Sequence, residues 1–316
     1  MLSAHFMIVI LSLLLISASF IGENNLLWIQ QWSTYFHQTC LQFVPQKSDF
    51  PEIYQAMVCG KNLPQNLEFK FYLSQTSLIH LIVVSGSHLL FLSQILRKTF
   101  EILKKPKWSE PIICIVLFLF LLSTAWQAPA VRAFVSILLG ILSRKKFLFW
   151  SSTENSLYSL LFCLVIFPQW IQSLSLLLST CCALALGIIE NFSNKKDPFN
   201  EFKMNIWRST GVYFVLLIPL APICIQSPLG ILFNIIFSPF LGLILFPLCL
   251  FSSLSDFFVG ITDLFLHIFA WCLKTSFQLA ASEQTPSPWI VSIYWIWLYA
   301  LFIHYLAILS NQRGRL

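Results

Sequence analysis

Residues 79–92 read I-H-L-I-V-V-S-G-S-H-L-L-F-L, a Ser-Gly-x-His tetrad (Ser85, Gly86, His88) set in a stretch otherwise apolar enough to cross a bilayer. An isolated apolar span has no use for His88, and a glycine beside Ser85 weakens a helix. Further along, P-A-V-R-A-F (129–134) places Arg132 at similar depth in another apolar segment. Groups this costly in hydrocarbon face a protein interior or a water-filled path, so something polar is expected to pass or react there.

Composition sets the class. Of 316 residues, 57% are hydrophobic and only 10% charged, with a mean hydropathy of +0.77. A soluble domain of this length carries about 25% charged residues. Only helices or closed barrels satisfy their backbone hydrogen bonds in lipid. The apolar runs here are long and continuous rather than alternating, which excludes a barrel. The reading is all-α: a polytopic helical integral membrane protein with about 8–10 transmembrane helices, some kinked or broken. The net charge of +6 reads as loop charge setting orientation, not as a nucleic-acid patch.

The apolar segments run 4–21, 78–96, 110–127, 129–143, 155–168, 170–190, 209–225, 228–251, 257–279 and 288–309. Pro129 and Pro168 mark either turns or kinks within longer helices. Basic residues gather in three loops: Arg97, Lys98, Lys104, Lys105 and Lys107; Arg144, Lys145 and Lys146; and Lys195, Lys196, Lys203 and Arg208. Arg313 and Arg315 follow the final segment. Placing all of them in the cytoplasm needs an even number of crossings between each group, which these segments supply. That divides the chain into an N-terminal anchor helix (1–21), a short extracytoplasmic or interfacial segment (22–77) and a membrane domain (78–310). Residues 1–21 lack a basic n-region and read as an anchor, although S-A-S (17–19) resembles a cleavage site.

Trp28, Trp32, Tyr35 and Phe36 open the external segment and suggest an interfacial helix lying on the bilayer. Its two cysteines, Cys40 and Cys59, are candidates for a disulfide outside the cytoplasm. The other seven cysteines sit in apolar segments as small hydrophobes, and no spacing indicates zinc.

Asp256, Asp263, His267 and Lys274 are spaced 7, 4 and 7 apart, within a wedge of about 40° on a helix. Gln278 extends this stripe. It either lines a hydrated cavity or marks an amphipathic helix lying flat at the interface, and the spacing does not separate the two. Asp263 and His267 at i,i+4 lack a visible third metal ligand.

Together these residues carry a resemblance. The run from Tyr54 through Leu90, with Gly60, His80, Leu81, Ser85, Gly86 and His88, is similar to the start of the membrane competence domain of the ComEC family of DNA-uptake channel proteins. A-P-A-V-R-A-F (128–134) resembles the family's Pro-x-x-Arg-Ala element through Pro129, Arg132 and Ala133. Asn234, Pro239 and Pro247 match its Asn-x4-Pro-x7-Pro pattern. With E-N-S-L-Y-S-L-L-F-C-L-V-I-F-P (154–168) and S-L-S-L-L-L-S-T-C-C-A-L-A-L-G (173–187) between the last two, five elements occur in family order over 54–250. Ser87 and Leu89, where the family often has Leu and Val, depart from it. About 55 residues between the first two spans are short for the family's OB-fold. No His-x-His-x-Asp-His run of its metallo-β-lactamase-like domain occurs, so the resemblance extends to neither accessory domain.

The resemblance implies an inner-membrane channel component passing single-stranded DNA into the cytoplasm during natural transformation, with no catalytic residue, cofactor or metal. Expected partners are single-stranded DNA, membrane lipid and separate nuclease, DNA-receptor and helicase/ATPase proteins, with a homo-oligomer left open. The expected polar core comprises Ser85, Gly86, His88, Pro129, Arg132, Asn234, Pro239, Asp256, Asp263 and His267. A polyanion needs a hydrated, cation-tolerant path. Arg132 either serves it or pairs with Asp256 or Asp263 to hold helices together. One alternative is an intramembrane serine hydrolase, with Ser85 as nucleophile and His88, His267 or His304 as base. Val83 stands where a rhomboid-type Gly-x-Ser-Gly has its first Gly. Another is a reduced scaffold paralogue that transports nothing.

Overall fold

The computed structural model describes residues 27–64, 67–76, 78, 82, 84–103, 106–145, 151–191, 206, 208–213, 215–216 and 229–280. The expected anchor at 1–21, most of the 209–225 span, the last span at 288–309 and the side chain of Gln278 lie outside them, as do His80, Lys195, Lys196, Lys203, Cys224 and His304. Every regular element among the described residues is helical. In chain order these are α1 (Leu27–Phe43), α2 (Pro51–Cys59), α3 (Glu68–Gln75), α4 (Gly86–Ile102), α5 (Pro106–Ser123), α6 (Ala128–Lys145), α7 (Ser152–Ile166), α8 (Leu174–Asn191), α9 (Leu229–Phe240), α10 (Phe246–Ser252) and α11 (Phe257–Ala280).

Local chemistry explains the boundaries. Ser151 and Glu154 form a capping box at the start of α7, Ser151 N–H donating to Glu154 Oε2 at 2.8 Å and Glu154 N–H to Ser151 Oγ at 3.2 Å. Pro51 opens α2, and Gly60 closes it at φ 72°, where Lys61 N–H reaches back to Gln55 O at 3.0 Å. Pro168 opens a 3₁₀ turn, Pro168–Gln172, and Pro129 is the second residue of α6, so both prolines mark turns rather than kinks. Pro239 sits inside α9 and Pro247 near the start of α10. Between them Leu241–Leu245 is π-helical, a local widening where proline removes an N–H and crowds the preceding turn.

The apolar run 78–96 is not one helix. Val84 and Ser85 are extended or irregular, α4 begins at Gly86, and it continues past the apolar run to Ile102. Among the described residues, two helical stretches are long and apolar enough to cross a membrane: Leu232–Ser252 (mean hydropathy 2.3) and Phe257–Phe277 (1.5). Only 28% and 22% of these windows are buried.

The bundle has two chemically different ends. α5 begins four positions after α4 ends, and Arg144 at the end of α6 lies 3.7 Å from Glu110 near the start of α5. Arg97, Lys98 and Arg144 therefore gather at one end. At the other end of α5, Ser33 Oγ donates to Leu122 O (3.3 Å) and His37 Nδ1 to Ser123 O (2.9 Å). These two α1 side chains satisfy carbonyls that a helix C-terminus leaves unpaired. Cys40 and Cys59 form a disulfide at this end, Cα–Cα 5.8 Å.

α1 leaves Trp32 and Tyr35 exposed, as an interfacial helix would. α2 differs from a surface segment: Tyr54, Met57 and Cys59 are fully buried in the main core with Leu89, Leu117, Phe246 and Phe269. Gly60 is pressed against the α5–α6 turn, a Cβ there lying 3.1 Å from Thr124 Cβ and 3.1 Å from Gln127 Nε2. Gly60→Ala, at positive φ and without space, is expected to destabilise the chain by about 1–2 kcal/mol, read as a lowered thermal midpoint. An unchanged midpoint would show that this junction is looser than its geometry.

Candidate functional site

The Ser-Gly-x-His tetrad is a helix start. Ser85 is the N-cap of α4 in extended conformation, and His88, three residues on, turns back so that its Nδ1 accepts from Ser85 N–H at 3.1 Å. This is a capping box with histidine in the place usually held by Glu or Gln. Ser85 Oγ also lies 3.1 Å from His88 Nδ1 and 2.6 Å from Ser87 Oγ. His88 is 4% exposed, and its ring meets Phe246 edge to face with centroids 4.5 Å apart. Phe246 immediately precedes Pro247, so the Asn-Pro-Pro element borders the tetrad.

Gly86 explains how the second element arrives. A Cβ built on it would stand 2.9 Å from Ala133 Cβ, 3.5 Å from Arg132 Nη2 and 3.8 Å from Pro129 O. Only a glycine lets α4 approach the first turns of α6 this closely. Arg132 is 6% exposed, and its Nε donates to Ser179 Oγ of α8 at 3.0 Å. Among the described residues no carboxylate pairs with it. Pairing with Asp256 or Asp263, one of the sequence readings, is therefore not what holds it.

The turn leading into α6 is strained and clamped. Ala125 and Trp126 have φ of 53° and 54°, consecutive left-handed residues without glycine. The Gln127 side-chain amide donates to Gly60 O, linking α2 to this turn. Gly60, Ser85–Gly86–His88 and Pro129–Arg132–Ala133, far apart in sequence, thus occupy one junction.

The α11 stripe goes elsewhere. Asp263 accepts from Ser48 Oγ (2.7 Å), Tyr54 OH (3.1 Å) and Asp49 N–H (3.3 Å), and His267 Nε2 meets Asp49 Oδ2 at 2.9 Å. Asp263 and His267 bind the 48–54 segment, and His267 and Lys274 line a cavity there with Asp49, Phe50, Glu52, Glu68 and Tyr72. Burial raises the Tyr54 hydroxyl above the ordinary tyrosine range, so it stays protonated and donates to Asp263. Asp256 precedes α11 and is exposed. Asn234 is half-buried in α9, two residues past the start of the first apolar window.

Gln127, Ser179 and Phe246 were missed by sequence reasoning. Ser179 sits in a serine-rich apolar helix, S-L-S-L-L-L-S-T, where nothing marks one hydroxyl over another. Gln127 alone carried a signal, a polar residue directly before A-P-A-V-R.

The sequence model of one family, described as Competence protein, matches residues 57–312. The chain belongs to the competence protein family. The matching part is the ComEC membrane competence domain. No curated protein and no solved structure matches the chain. Membership ties this competence protein to DNA uptake, in a membrane-associated family.

His88→Ala should cost about 1 kcal/mol through loss of the cap, whereas His88→Gln, able to accept from Ser85 N–H, should recover most of it in thermal unfolding. Equal losses in both variants would mean that His88 does not act as a cap.

Proposed function

We propose that this chain is a multi-pass helical protein of the bacterial inner membrane that passes single-stranded DNA inward during natural transformation, as a conduit and not as an enzyme. The observation that carries the reading is the junction itself. In a competence-family chain, three separated family elements meet at a buried arginine that pairs with no carboxylate among the described residues. A polyanion crossing a bilayer needs a polar path that tolerates its charge. Two acidic side chains on that path would have repelled DNA. Asp263 is instead taken up by Ser48, Asp49 and Tyr54, and Asp256 is exposed.

Orientation follows from the two ends of the bundle. The basic end carrying Arg97, Lys98 and Arg144 suits the cytoplasm, and the disulfide end suits the oxidising exterior. The conduit reading implies separate nuclease, DNA-receptor and helicase/ATPase partners, and lipid around the apolar helices.

One contact favours the hydrolase reading: Ser85 Oγ lies within hydrogen-bond reach of His88 Nδ1. The same nitrogen caps Ser85 N–H, and the ring packs on Phe246, which offers no acceptor to orient a catalytic base. Labelling of Ser85 by a fluorophosphonate probe would favour the hydrolase.

Deleting the gene should reduce nuclease-protected, imported DNA to background while leaving surface-bound DNA intact. Normal transformation in that strain would leave the scaffold and hydrolase readings. On intact cells an impermeant thiol reagent should label Lys47→Cys and spare Lys145→Cys; the reverse pattern would invert the orientation.

A further inference from the structure

A cavity of about 440 Å³ opens between three pieces of chain: the residues around the start of α2, the first turns of α3 and one face of α11. Its charges are not all spent on one another. Asp49 is held by His267 at 2.9 Å, and Glu68 accepts from the Tyr72 hydroxyl. Glu52, in the first turn of α2, and Lys274 of α11 also line the cavity. Among the described residues neither has a hydrogen-bond or ion-pair partner. A carboxylate and an ammonium thus border one space without pairing. The rings of Phe50, Phe69, Tyr72 and Trp271 supply much of the remaining wall.

The cavity adjoins exposed apolar surface. Leu264, Ile268 and Trp271 are 59%, 47% and 67% exposed. Their spacing puts them on one stripe of α11, next to the stripe that bears His267 and Lys274. Unpaired groups of opposite sign suit a ligand that carries both charges, and the neighbouring stripe suits one that also carries apolar chains. We infer that this cavity binds the headgroup of phosphatidylethanolamine, with the phosphodiester on Lys274, the ammonium on Glu52 and the acyl chains along Leu264, Ile268 and Trp271. This rests on the membrane reading above. In that orientation the lipid comes from the outer leaflet, because Asp49, Glu52 and Glu68 belong to the external segment. A primary amine fits better than a trimethylated one, since Glu52 and Glu68 accept N–H donors that a trimethylammonium lacks. The aromatic rings add attraction for the cation. A strand of nucleic acid fits poorly: it brings no positive charge of its own to a wall with three carboxylates, Asp49, Glu52 and Glu68. A bound headgroup would bridge α2 and α11, reinforcing the attachment that Asp263 and His267 already make.

The test titrates the purified, delipidated full chain in detergent with phosphatidylethanolamine, with phosphatidylglycerol of the same acyl chains and with soluble phosphoethanolamine. Native mass spectrometry counts the bound molecules. The wild type should prefer phosphatidylethanolamine by about fivefold, the worth of one partly exposed charge pair. Glu52→Gln should erase that preference, and Lys274→Gln should weaken both phospholipids alike. Where a variant fails to fold, the wild-type comparison decides alone. Equal affinity of the wild type for the two phospholipids would overturn the site, as would an undiminished preference in Glu52→Gln. Soluble phosphoethanolamine binding as tightly as the lipid would identify a free aminophosphate as the ligand and overturn the lipid assignment. Displacement of the lipid by oligothymidylate would do the same in favour of nucleic acid. These outcomes are separable from failure of the membrane reading. A chain that stays in carbonate-washed membranes yet shows no lipid preference loses the site alone, whereas a chain that carbonate releases loses the membrane reading.

Discussion

The arrangement depends on the missing side chain at Gly86. A Cβ there would stand 2.9 Å from that of Ala133, closer than real Cβ atoms approach, so any other residue would push α4 off α6. Several features follow from that contact. It brings the Arg132 guanidinium to the end of α4, and it fixes the height at which His88 meets Phe246 of the α9–α10 rod. It also explains why the tetrad begins with a serine in extended conformation. With glycine as first helical residue, the helix start needs a cap from its neighbours, and Ser85 and His88 supply it.

Around this contact the chain stores strain and braces it. Two consecutive left-handed residues, Ala125 and Trp126, cost roughly 1–2 kcal/mol each, and Trp126 Nε1 is buried without a hydrogen-bond partner among the described residues. The surrounding structure holds the turn in place. Gln127 is tied to Gly60 O, Gly60 is wedged against Thr124, and Cys59 beside it is cross-linked to α1. α1 in turn hydrogen-bonds the last carbonyls of α5. The outer segment is thus the brace that keeps the start of α6, and with it Arg132, in position. On its far side the same segment is fastened to α11 through Asp263 and His267.

Helix content and most helix positions were legible because apolar run length and proline placement are local properties. Thus α5 to α11, where described, fall close to the expected runs. The 78–96 stretch misled for a physical reason. Hydropathy averages over Ser85 and Gly86, whereas backbone geometry responds to them individually, and the cap they form breaks the run. The α11 stripe misled differently. Its spacing places Asp263, His267 and Lys274 on one face of α11, with Asp256 just before the helix, but spacing carries no information about what that face meets. The answer was Ser48, Asp49 and Tyr54, more than 200 positions earlier in the chain. Arg132 is the same case: its position could be read, while its partner, one serine among many in α8, could not.

The irregularities of the backbone point to the same place as the polar groups. α4 starts at Gly86 after an extended residue, the 124–127 turn is left-handed, and Leu241–Leu245 is π-helical between two prolines. These three defects neighbour one another. Gly86 abuts the first turns of α6 that the strained turn leads into, and His88 abuts Phe246 at the end of the π segment. In a bilayer, non-helical or distorted backbone is tolerated only where protein covers it or where it lines water. The apolar windows along α9–α10 and α11 are only 28% and 22% buried. A hydrated path through this fold would therefore run beside the tetrad and Arg132, where broken backbone, buried charge and family motifs coincide, and not along the outer apolar helices.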